Sequence, residues 1–476
     1  MLKAFYSLSL PLAGSFSQVL LKLFSGYCKK CKKDRIKVIT DYFFDKDDKK
    51  LCKRCLFTAK FFSSILTMGE NSLKVPLNDM KSYFTENCVR KGLYALLKSV
   101  EVYGFQKPLK MPFPLLVVWN YTNNCNLKCK HCYQNAGIKS KELSTRQRKK
   151  VIDKLAESNV ISVAFSGGEP LIEKDFFEVA RYAVKKGLFV AVATNGTLIT
   201  PQIAKKIKEI GIEYVEISLD GANAKTHDKF RGVQGSFGRT LTGIKQCLDA
   251  KIFTCLATTV NKNNINQIER IKNLAEKIGI NIFIAFNFIP VGRGKEIIDM
   301  DINPKEREKL LKMLSNCLTK SNTEVVSTAP QFGRVCIENH KAPVTSHFNA
   351  PMEILKNKNS SLENYEVLKL VAEFIGGCGA GRVYCAIQPN GDITPCVFIP
   401  TKVGNIIKDD FVDVWLNSEV LKILRFGKRK GHCKTCKYKA ICGGCRARAF
   451  AYFNDYLAPD PGCINNEEFW KQIKSN

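Results

Sequence analysis

The chain has 476 residues, of which 45% are hydrophobic and 10% are aromatic. Such a length exceeds one ordinary domain, and the composition is that of a globular protein with two or three cores. The formal net charge of +30 would attract polyanions, acidic proteins or anionic headgroups. Because the lysines scatter over predicted helix faces and form no single long tract, the charge pattern argues against nucleic acid as the main partner.

Cysteine is the second unusual feature of the composition. Twenty cysteines without a convincing secretory signal indicate a reducing cytoplasm, where clustered thiols usually bind metals. Most of them fall into groups with metal-like spacing. The others stand singly and are predicted to be small buried hydrophobic residues, namely Cys88, Cys247, Cys255, Cys317 and Cys336.

The first 26 residues are apolar, but Pro11 interrupts them early. Their apolar runs are too short to span a bilayer, which takes about 20 residues. Two interpretations remain, packing against the rest of the protein or a helix on a membrane surface. The surface helix would bury Val19, Leu20, Leu21, Leu23 and Phe24.

Residues 1–110 are predicted to form a separate domain, with cysteine knuckles followed by helices. Three prolines between Pro108 and Pro114 mark its end as a linker. Four cysteines of this domain have the spacing C-x2-C-x20-C-x2-C, namely Cys28, Cys31, Cys52 and Cys55. This array resembles a zinc ribbon, and four thiolates suit either zinc or a mononuclear iron.

From residue 111 to residue 320, short apolar runs alternate with helical patterns. This alternation predicts an α/β domain with parallel strands joined by crossover helices. Six strands are predicted, at Leu115–Asn120, Ser162–Ser166, Phe189–Thr194, Tyr214–Leu219, Phe253–Val260 and Ile282–Ile289. Helices are predicted between them, as at Thr145–Ser158, Asp175–Lys186 and Asn264–Ile278. Residues 321–375 are poorly patterned and are predicted to be a connector.

Three cysteines follow the first predicted strand in a C-x3-C-x2-C spacing, namely Cys125, Cys129 and Cys132. Three thiolates in one short loop can hold three irons of a 4Fe-4S cluster and leave the fourth iron without a protein ligand. A structural zinc site is the alternative interpretation. Zinc sites normally close with four ligands, and no fourth ligand is adjacent in the sequence.

Polar residues also follow the next strands. In the segment Gly167–Glu169 the glycines let a ligand approach the backbone, and the glutamate offers a carboxylate to an ammonium group. The third strand ends in Thr194 and Asn195, and the fourth ends in Ser218 and Asp220. Each segment alone is typical of an ordinary strand-to-helix turn, but all of them follow the cysteine loop in one order.

In this order, the segments resemble the radical S-adenosylmethionine (SAM) superfamily, whose open iron binds SAM and cleaves it to a 5'-deoxyadenosyl radical. His131 and the segment His227–Gly232 also match that pattern. The resemblance implies a partial (β/α)6 barrel of the TIM type, with its site at the C-terminal ends of the strands. It further implies that SAM contacts Tyr133, Gly167, Gly168, Glu169, Thr194, Asn195, Ser218, Asp220 and Arg231.

The sixth predicted strand leads into the segment Asn287–Arg293. We expect Asn287 and Arg293 to lie near the place where substrate enters. A solvent-facing arginine on a loop is the alternative interpretation for Arg293.

Residues 376–476 contain eight further cysteines, enough for two four-cysteine sites. The spacings C-x12-G-x4-C and C-x2-C-x5-C resemble the SPASM domain, the auxiliary iron-sulfur module of radical SAM enzymes. The resemblance implies one auxiliary 4Fe-4S cluster on Cys378, Cys385, Cys396 and Cys445. It implies a second on Cys433, Cys436, Cys442 and Cys463. A pair of zinc sites is the alternative, because thiolate-only coordination also suits zinc.

The stretches Cys442–Ala449 and Pro459–Cys463 are most similar to enzymes that trim tetrapyrrole side chains in alternative haem synthesis. The resemblance therefore implies reductive cleavage of SAM and hydrogen abstraction from a tetrapyrrole or another cofactor precursor. A peptide or lipid substrate is the alternative within the family. Outside it, the alternative is a metal-rich scaffold that binds nucleic acid or protein without catalysis. No catalytic residue is assigned beyond the cluster and SAM.

The resemblance also implies partners. An enzyme of this kind needs a low-potential reductant, and the basic charge would attract an acidic ferredoxin or flavodoxin. The protein is expected in the cytoplasm, with a peripheral membrane contact through the N-terminus as an open alternative.

Overall fold

The computed structural model describes residues 18–47, 51–73, 86–318, 321, 323–339 and 372–475. The chain divides into two compact units, Met1–Leu115 and Leu116–Asn476. The apolar residues before Gln18 and most of the predicted connector, 340–371, lie outside the described residues. In the described part of the chain, no helix is long and apolar enough to cross a bilayer.

The first unit contains a small antiparallel hairpin and a group of helices. The hairpin pairs β1 (Tyr27–Cys28) with β2 (Lys33–Asp34). Residues 18–24 are helical, and longer helices span Arg35–Asp45, Lys53–Leu73 and Glu86–Tyr103. The Asp34 carboxylate caps the first long helix by accepting the Ile36 N–H at 2.8 Å. The helices pack around a small apolar core that includes Leu21, Ile36, Ile39, Phe62 and Leu93.

The second unit is built on a ten-stranded sheet whose central part is parallel. Six strands lie side by side in chain order, namely β3 (Leu116–Thr122), β4 (Ser162–Gly167), β5 (Phe189–Thr194), β6 (Tyr214–Ser218), β7 (Phe253–Val260) and β8 (Ile282–Asn287). The predicted six-unit α/β fold is therefore confirmed. The outer strands are β9 (Glu324–Ser327), β10 (Tyr384–Ile387), β11 (Asp392–Thr394) and β12 (Gly404–Asn405). The described edge strands β9 and β12 do not pair with each other, so the barrel is partial.

Two of these outer strands enlarge the parallel sheet. Strand β9 pairs parallel with β8, and β10 pairs parallel with β3. Strand β9 and the helix Gln331–Glu338 lie within the range that the sequence suggested as a connector. The four residues of β9 are too few to show a clear periodicity, so the strand is recognisable only from its pairing.

Helices connect the strands and continue into the C-terminal region. In the barrel they span Thr145–Glu157, Phe176–Lys185, Pro201–Ile210, Ala224–Arg231, Ser236–Asp249, Ile268–Lys277, Pro304–Cys317 and Gln331–Glu338. After β12 they span Phe411–Asn417, Glu419–Phe426, His432–Thr435, Arg446–Phe453 and Glu467–Ser475. Short 3-10 helices span Pro170–Ile172, Ile265–Gln267, Gly292–Met300 and Ile464–Asn466.

Local signals set the ends of these helices. The helix Thr145–Glu157 begins with a capping box, in which Ser144 and Gln147 satisfy each other's backbone N–H groups. The helix Pro201–Ile210 begins with Thr200 as its cap and Pro201 in its first turn, and Gly211 ends it in the left-handed conformation.

Strand side chains alternate between two environments. Val117, Trp119, Val163 and Phe165 are completely buried in the core between the sheet and the helices. Because successive side chains point to opposite faces, the intervening residues of β3 and β4 face the barrel lumen. This parity decides which strand residues can reach a bound ligand.

Candidate cofactor sites

The three cysteines after β3 lie in a loop whose backbone and neighbours point N–H groups at their sulfurs. The Leu127 N–H donates to Cys125 Sγ at 3.4 Å, and the Ala136 N–H donates to Cys132 Sγ at 3.4 Å. Burial raises the pKa of the Cys125 thiol to about 12. A buried thiol of this kind ionises when a bound cation compensates its charge, which suits a metal ligand.

Arg293 clamps this loop from the segment after β8. Its Nε donates to the Cys129 carbonyl at 3.0 Å, and its Nη1 donates to the Ala136 carbonyl at 2.6 Å. The Arg293 N–H donates to the Cys132 carbonyl at 3.0 Å. Neighbouring Gly292 has a φ of +56°, and a Cβ there would lie 2.5 Å from that same carbonyl oxygen. Arg293 therefore positions the cysteine loop, and the interpretation of a solvent-facing arginine is wrong.

The distances between the cysteine sulfurs distinguish a site for an iron-sulfur cluster from a site for a single metal ion. In the described residues, the N-terminal cysteines form the one group of three or more His, Cys, Asp or Glu ligands whose atoms all lie within 4.8 Å of one another. A tetrahedral zinc with Zn–S bonds of about 2.3 Å needs sulfurs about 3.8 Å apart. The thiols of the barrel loop and of the C-terminal region are spaced more widely, which fits iron-sulfur clusters and argues against zinc at these places.

Glu169 is the centre of a buried polar group at the ends of β4 and β5. Its carboxylate accepts the Thr194 hydroxyl at 2.8 Å and the Asn195 N–H at 2.8 Å. Burial raises the pKa of Glu169 to about 7 although these hydrogen bonds oppose it. A Cβ at Gly168 would lie 2.0 Å from the Asn124 carbonyl oxygen, so only glycine fits beside the cysteine loop. The structure thus brings together residues of the predicted SAM site from the ends of β4 and β5, next to the cysteine loop.

A buried ion pair lies beside Cys129 of the cysteine loop. Arg231 Nε donates to Asp220 Oδ2 at 2.6 Å, and Arg231 Nη1 lies 3.8 Å from Cys129 Sγ. Burial favours the neutral carboxyl, but Arg231 together with His131 and His227 holds the pKa of Asp220 below its usual range. The pairing with Asp220 therefore holds the positive charge of Arg231 beside one of the three thiols. Predicted Ser218 lies half-buried at the end of β6.

Tyr133 connects the cysteine loop to the C-terminal region. Its hydroxyl donates to Asn120 Oδ1 at 3.0 Å and shares a hydrogen bond of 2.9 Å with Ser166. Its ring contacts Phe398 edge to face, with centroids 5.1 Å apart. The N–H of Phe398 donates to Cys396 Sγ at 3.4 Å. Tyr133 therefore lies between the barrel loop and one of the C-terminal thiols.

Glu216 is a functional candidate that the sequence analysis did not single out. It lies on β6 two residues before Ser218, so both side chains face the same side of the sheet. Its neighbours on the sheet, Val215 and Ile217, belong to the core between sheet and helices, which leaves Glu216 on the lumen side. Burial raises its pKa to about 7. The available signal in the sequence for this candidate was a charged residue in the middle of a five-residue strand.

Four C-terminal thiols line a single cavity, namely Cys433, Cys436, Cys442 and Cys463. The Gly444 N–H donates to Cys442 Sγ at 3.4 Å, and the Asn466 amide lies 3.5 Å from Cys433 Sγ. A cavity with four convergent sulfurs and N–H donors fits one complete 4Fe-4S cluster. The structure thus groups this predicted set of cysteines as the resemblance implied.

The other predicted set is only partly brought together. Burial raises the pKa of the Cys396 and Cys445 thiols, and the charge of Cys378 raises the pKa of both as well, which indicates that the three thiols share one neighbourhood. Tyr384 also joins this group through its hydroxyl, which donates to Cys396 Sγ at 2.7 Å.

Cys385 does not join these three thiols. It lies one residue after Tyr384 on β10, pairs with Val117, and is buried in the core between sheet and helices. Because strand side chains alternate, Tyr384 and Cys385 point to opposite faces of the sheet. The expectation that Cys385 is a cluster ligand is therefore wrong.

The N-terminal cysteines form a compact site. Cys28 Sγ and Cys52 Sγ lie 3.8 Å apart, and the Cys52 N–H donates to Cys31 Sγ at 3.3 Å. The Cys31 N–H is the main cause that lowers the pKa of Cys28 to about 6. Four sulfurs at this spacing fit one tetrahedral ion, and both zinc and iron remain suitable.

The buried imidazole of His227 gives the fold a pH dependence. Its Nδ1 accepts the Asp220 N–H at 3.2 Å, and burial lowers its pKa to about 4. In the unfolded chain the imidazole of His227 takes up a proton below about pH 6.5, whereas in the folded protein it does so only near pH 4. The contribution of His227 to the free energy of unfolding is therefore fully present above about pH 6.5 and is lost as the pH falls towards about 4.

We expect the free energy of unfolding to fall by roughly 2 kcal/mol more in the wild type than in His227→Asn between about pH 7 and about pH 5. Asparagine keeps an acceptor for the Asp220 N–H but does not titrate. Anaerobic denaturant titration at each pH measures the difference, and acid lability of bound clusters affects both proteins equally. An unfolding free energy that changes equally with pH in the two proteins would contradict the assignment of this pH dependence to His227.

Comparisons with known proteins agree with this arrangement. A family model described as the Radical SAM superfamily matches residues 119–275, and a SPASM model described as an iron-sulfur cluster-binding domain matches residues 378–446. An AdoMet-dependent heme synthase of Methanosarcina barkeri is 36% identical over 355 residues, which cover 74% of this chain and 96% of that protein. A mycofactocin maturase of Mycolicibacterium smegmatis is 33% identical over 358 residues, which cover 74% of this chain and 83% of that protein.

A solved structure shares the fold at low identity. SuiB of Streptococcus suis bound to S-adenosylmethionine aligns with a TM-score of 0.62 and 18% identity, over 91% of this chain and 93% of that one. At this identity the likeness establishes the architecture alone.

Proposed function

Because this chain belongs to the radical SAM superfamily and carries a SPASM domain, we propose that it oxidatively decarboxylates the side chains of a haem-precursor tetrapyrrole. Its family cofactors are a SAM-binding 4Fe-4S cluster, SAM and auxiliary iron-sulfur clusters. When bound and reduced, such a cluster would supply the one electron that cleaves SAM to methionine and a 5'-deoxyadenosyl radical.

The observation that carries the substrate proposal is the extent of similarity to the heme synthase. That relative is covered over 96% of its own length, against 83% for the mycofactocin maturase, and its identity is higher. Each alignment covers 74% of this chain, so the higher identity to the heme synthase is what supports a tetrapyrrole over a peptide.

The residues of the barrel mouth would bind and orient SAM. The loop thiols Cys125, Cys129 and Cys132 would hold the cluster, and Arg293 would keep the loop in place. The Glu169 carboxylate would receive the ammonium group of SAM, and the Asp220–Arg231 pair would hold its charge beside Cys129. These groups hold charge and exclude water, and none of them has to act as a general base.

The proposed reaction balances if each turnover uses one further electron acceptor. One hydrogen atom moves from the side chain to the 5'-deoxyadenosyl radical and forms 5'-deoxyadenosine. The carboxylate then leaves as carbon dioxide, a carbon–carbon double bond forms, and one electron passes to a one-electron acceptor. Cys396, joined to the mouth through Phe398 and Tyr133, belongs to the group of thiols that would hold such an acceptor.

The arginines of the stretch Cys442–Ala449 are buried inside the C-terminal module. Arg446 and Arg448 are among the largest fully buried side chains, and Arg446 donates to the Tyr456 and Ala458 carbonyls. The role of this stretch in the proposed function is therefore to build the C-terminal module.

Anaerobic reconstitution tests the proposal. Iron-loaded protein, reduced by dithionite or by a ferredoxin or flavodoxin as the proposed physiological donor, is mixed with SAM and a series of carboxylated iron porphyrins. We expect 5'-deoxyadenosine to form in proportion to a porphyrin product that has lost a carboxyl group and one hydrogen.

Two results would contradict this function. Formation of 5'-deoxyadenosine that depends on a peptide would favour a peptide modification of the kind catalysed by the maturase relative. Absence of SAM cleavage in fully iron-loaded, reduced protein with every porphyrin would remove the proposed reaction.

A further inference from the structure

The first unit exposes an apolar and aromatic strip along two helices. On the helix Lys53–Leu73, Phe57, Phe61 and Ile65 are 60%, 38% and 42% exposed. Their spacing of four residues places them on one side of the helix. The rings of Phe57 and Phe61 stack with centroids 6.2 Å apart, so the two side chains form one continuous surface.

The second helix, residues 18–24, adds to this strip. Phe24 lies 6.2 Å from the Phe57 ring and 5.9 Å from the Phe61 ring, which joins the two helices. Leu21 packs into the core of the unit, while Leu23 is 64% exposed. Exposed Val19 and Tyr27 continue the same segment. The segment thus packs against the protein with one side and presents apolar side chains with the other.

The two segments that carry this strip contain basic residues and no acidic ones. Residues 18–33 and 51–68 contain no aspartate and no glutamate. Lys22, Lys53 and Lys60 are exposed on the same two helices. An apolar helix face with aromatic residues and lysines around it is the composition of a helix that lies in the interface of an anionic membrane.

The N-terminal cysteine site holds both parts of the strip. Cys28 directly follows Tyr27, and Cys55 opens the helix that carries Phe57. An ion shared by these thiols would therefore fix the strip as a rigid surface.

We propose that this strip, defined by Val19, Leu23, Tyr27, Phe57, Phe61 and Ile65, docks the protein on the surface of an anionic phospholipid bilayer. Its apolar side chains are neighbours along two helices that touch through Phe24, Phe57 and Phe61, and the lysines on these helices complement lipid phosphates in sign. The proposal is independent of which substrate the barrel acts on.

Vesicle flotation of the complete iron-loaded protein tests the docking surface. Vesicles of phosphatidylglycerol and phosphatidylcholine are compared with vesicles of phosphatidylcholine alone. We expect the wild type to float with the anionic vesicles. The double substitution F57D/F61D should lower the bound fraction at least about tenfold, because two aromatic side chains lose their apolar environment.

A charge variant and a matched control accompany this test. K53E/K60E changes only exposed lysines and should weaken binding to anionic vesicles by about fivefold or more per lysine, with a smaller effect at high salt. Val412→Asp removes an exposed apolar side chain from the helix Phe411–Asn417 of the other unit and should leave flotation unchanged. All variants should keep the wild-type yield of 5'-deoxyadenosine, which separates this test from that of the proposed function.

Three outcomes would overturn the proposal. The first is a wild type that stays with the soluble fraction. The second is F57D/F61D protein that floats as well as the wild type. The third is a concentration-dependent dimer, broken by F57D/F61D, in protein that does not float, which would assign the strip to a second copy of the chain.

Discussion

Replacing Cys129 with alanine should abolish 5'-deoxyadenosine formation, whereas replacing Cys385 with alanine should leave it near the wild-type level. Cys129 lies in the barrel loop, and its sulfur lies 3.8 Å from the Arg231 guanidinium. Loss of one of three thiolates leaves too few ligands to hold a cluster with an open iron. Cys385 lies in the apolar core beside Val117, so its loss should cost about 1 kcal/mol of stability and no iron.

Iron content extends this prediction to the C-terminal module. Alanine at Cys396 should remove about four irons per chain, the content of one cluster, while alanine at Cys385 should remove none. Iron analysis together with electron paramagnetic resonance of the reduced protein measures both. A loss of cluster signal in Cys385→Ala that equals the loss in Cys396→Ala would show that β10 presents its other face to the site.

Replacing Arg448 with methionine should lower the free energy of unfolding by about 3–5 kcal/mol, because it removes two buried hydrogen bonds and one of the cations that face the buried Asp301 and Asp460 carboxylates. Arg448 Nη2 donates to Asn287 Oδ1 at 2.5 Å and to the Phe288 carbonyl at 2.7 Å, just beyond β8. Its Nε lies 3.5 Å from Asp301, and its Nη1 lies 3.9 Å from Asp460. The side chain therefore joins the end of the barrel to the C-terminal module from inside the protein.

The substitution Arg448→Met should also disturb the thiols of the C-terminal module. Asp460 accepts the Cys445 N–H at 2.7 Å, so a displaced Asp460 would disturb that thiol as well. Anaerobic denaturant titration and iron analysis measure the two effects. Arg448→Lys keeps the charge but loses the planar fork and should be intermediate. Exposed Lys422→Met is the matched control and should change stability by less than about 0.5 kcal/mol. An Arg448→Met variant that is as stable as this control would contradict the role of Arg448 in joining the end of the barrel to the C-terminal module.

Much of the barrel site was predictable because its signals are local. The cysteine loop and the glycine and carboxylate segment each occupy a few consecutive residues at the end of a strand. Parallel strands bring their carboxyl ends to one edge, so order along the chain translates into proximity. The contact of Glu169 with Thr194 and Asn195 follows from that rule.

Other parts of the site depend on contacts between distant segments. Arg293 reads as a loop arginine in the sequence, yet it holds the carbonyl groups of Cys129 and Ala136 more than 150 residues earlier. Glu216 is recognisable as a lumen residue only once its strand neighbours are seen to pack against the helices. The role of Arg293 has no local pattern from which it could be predicted, and the one local signal for Glu216 is a charged residue in the middle of a strand.

Residue type and spacing alone determined that this chain has an α/β barrel, a loop of three thiolates and cysteine-rich modules on both sides, because metal chemistry and strand periodicity act over short stretches of chain. The tertiary structure decided which thiols meet. Cys385 has the right residue type at a plausible spacing, but the pleat of β10 and its pairing with β3 turn its sulfur into the core. The burial of Arg448 was likewise settled by packing, since a long charged side chain reveals its partners only when the barrel end and the C-terminal module come together.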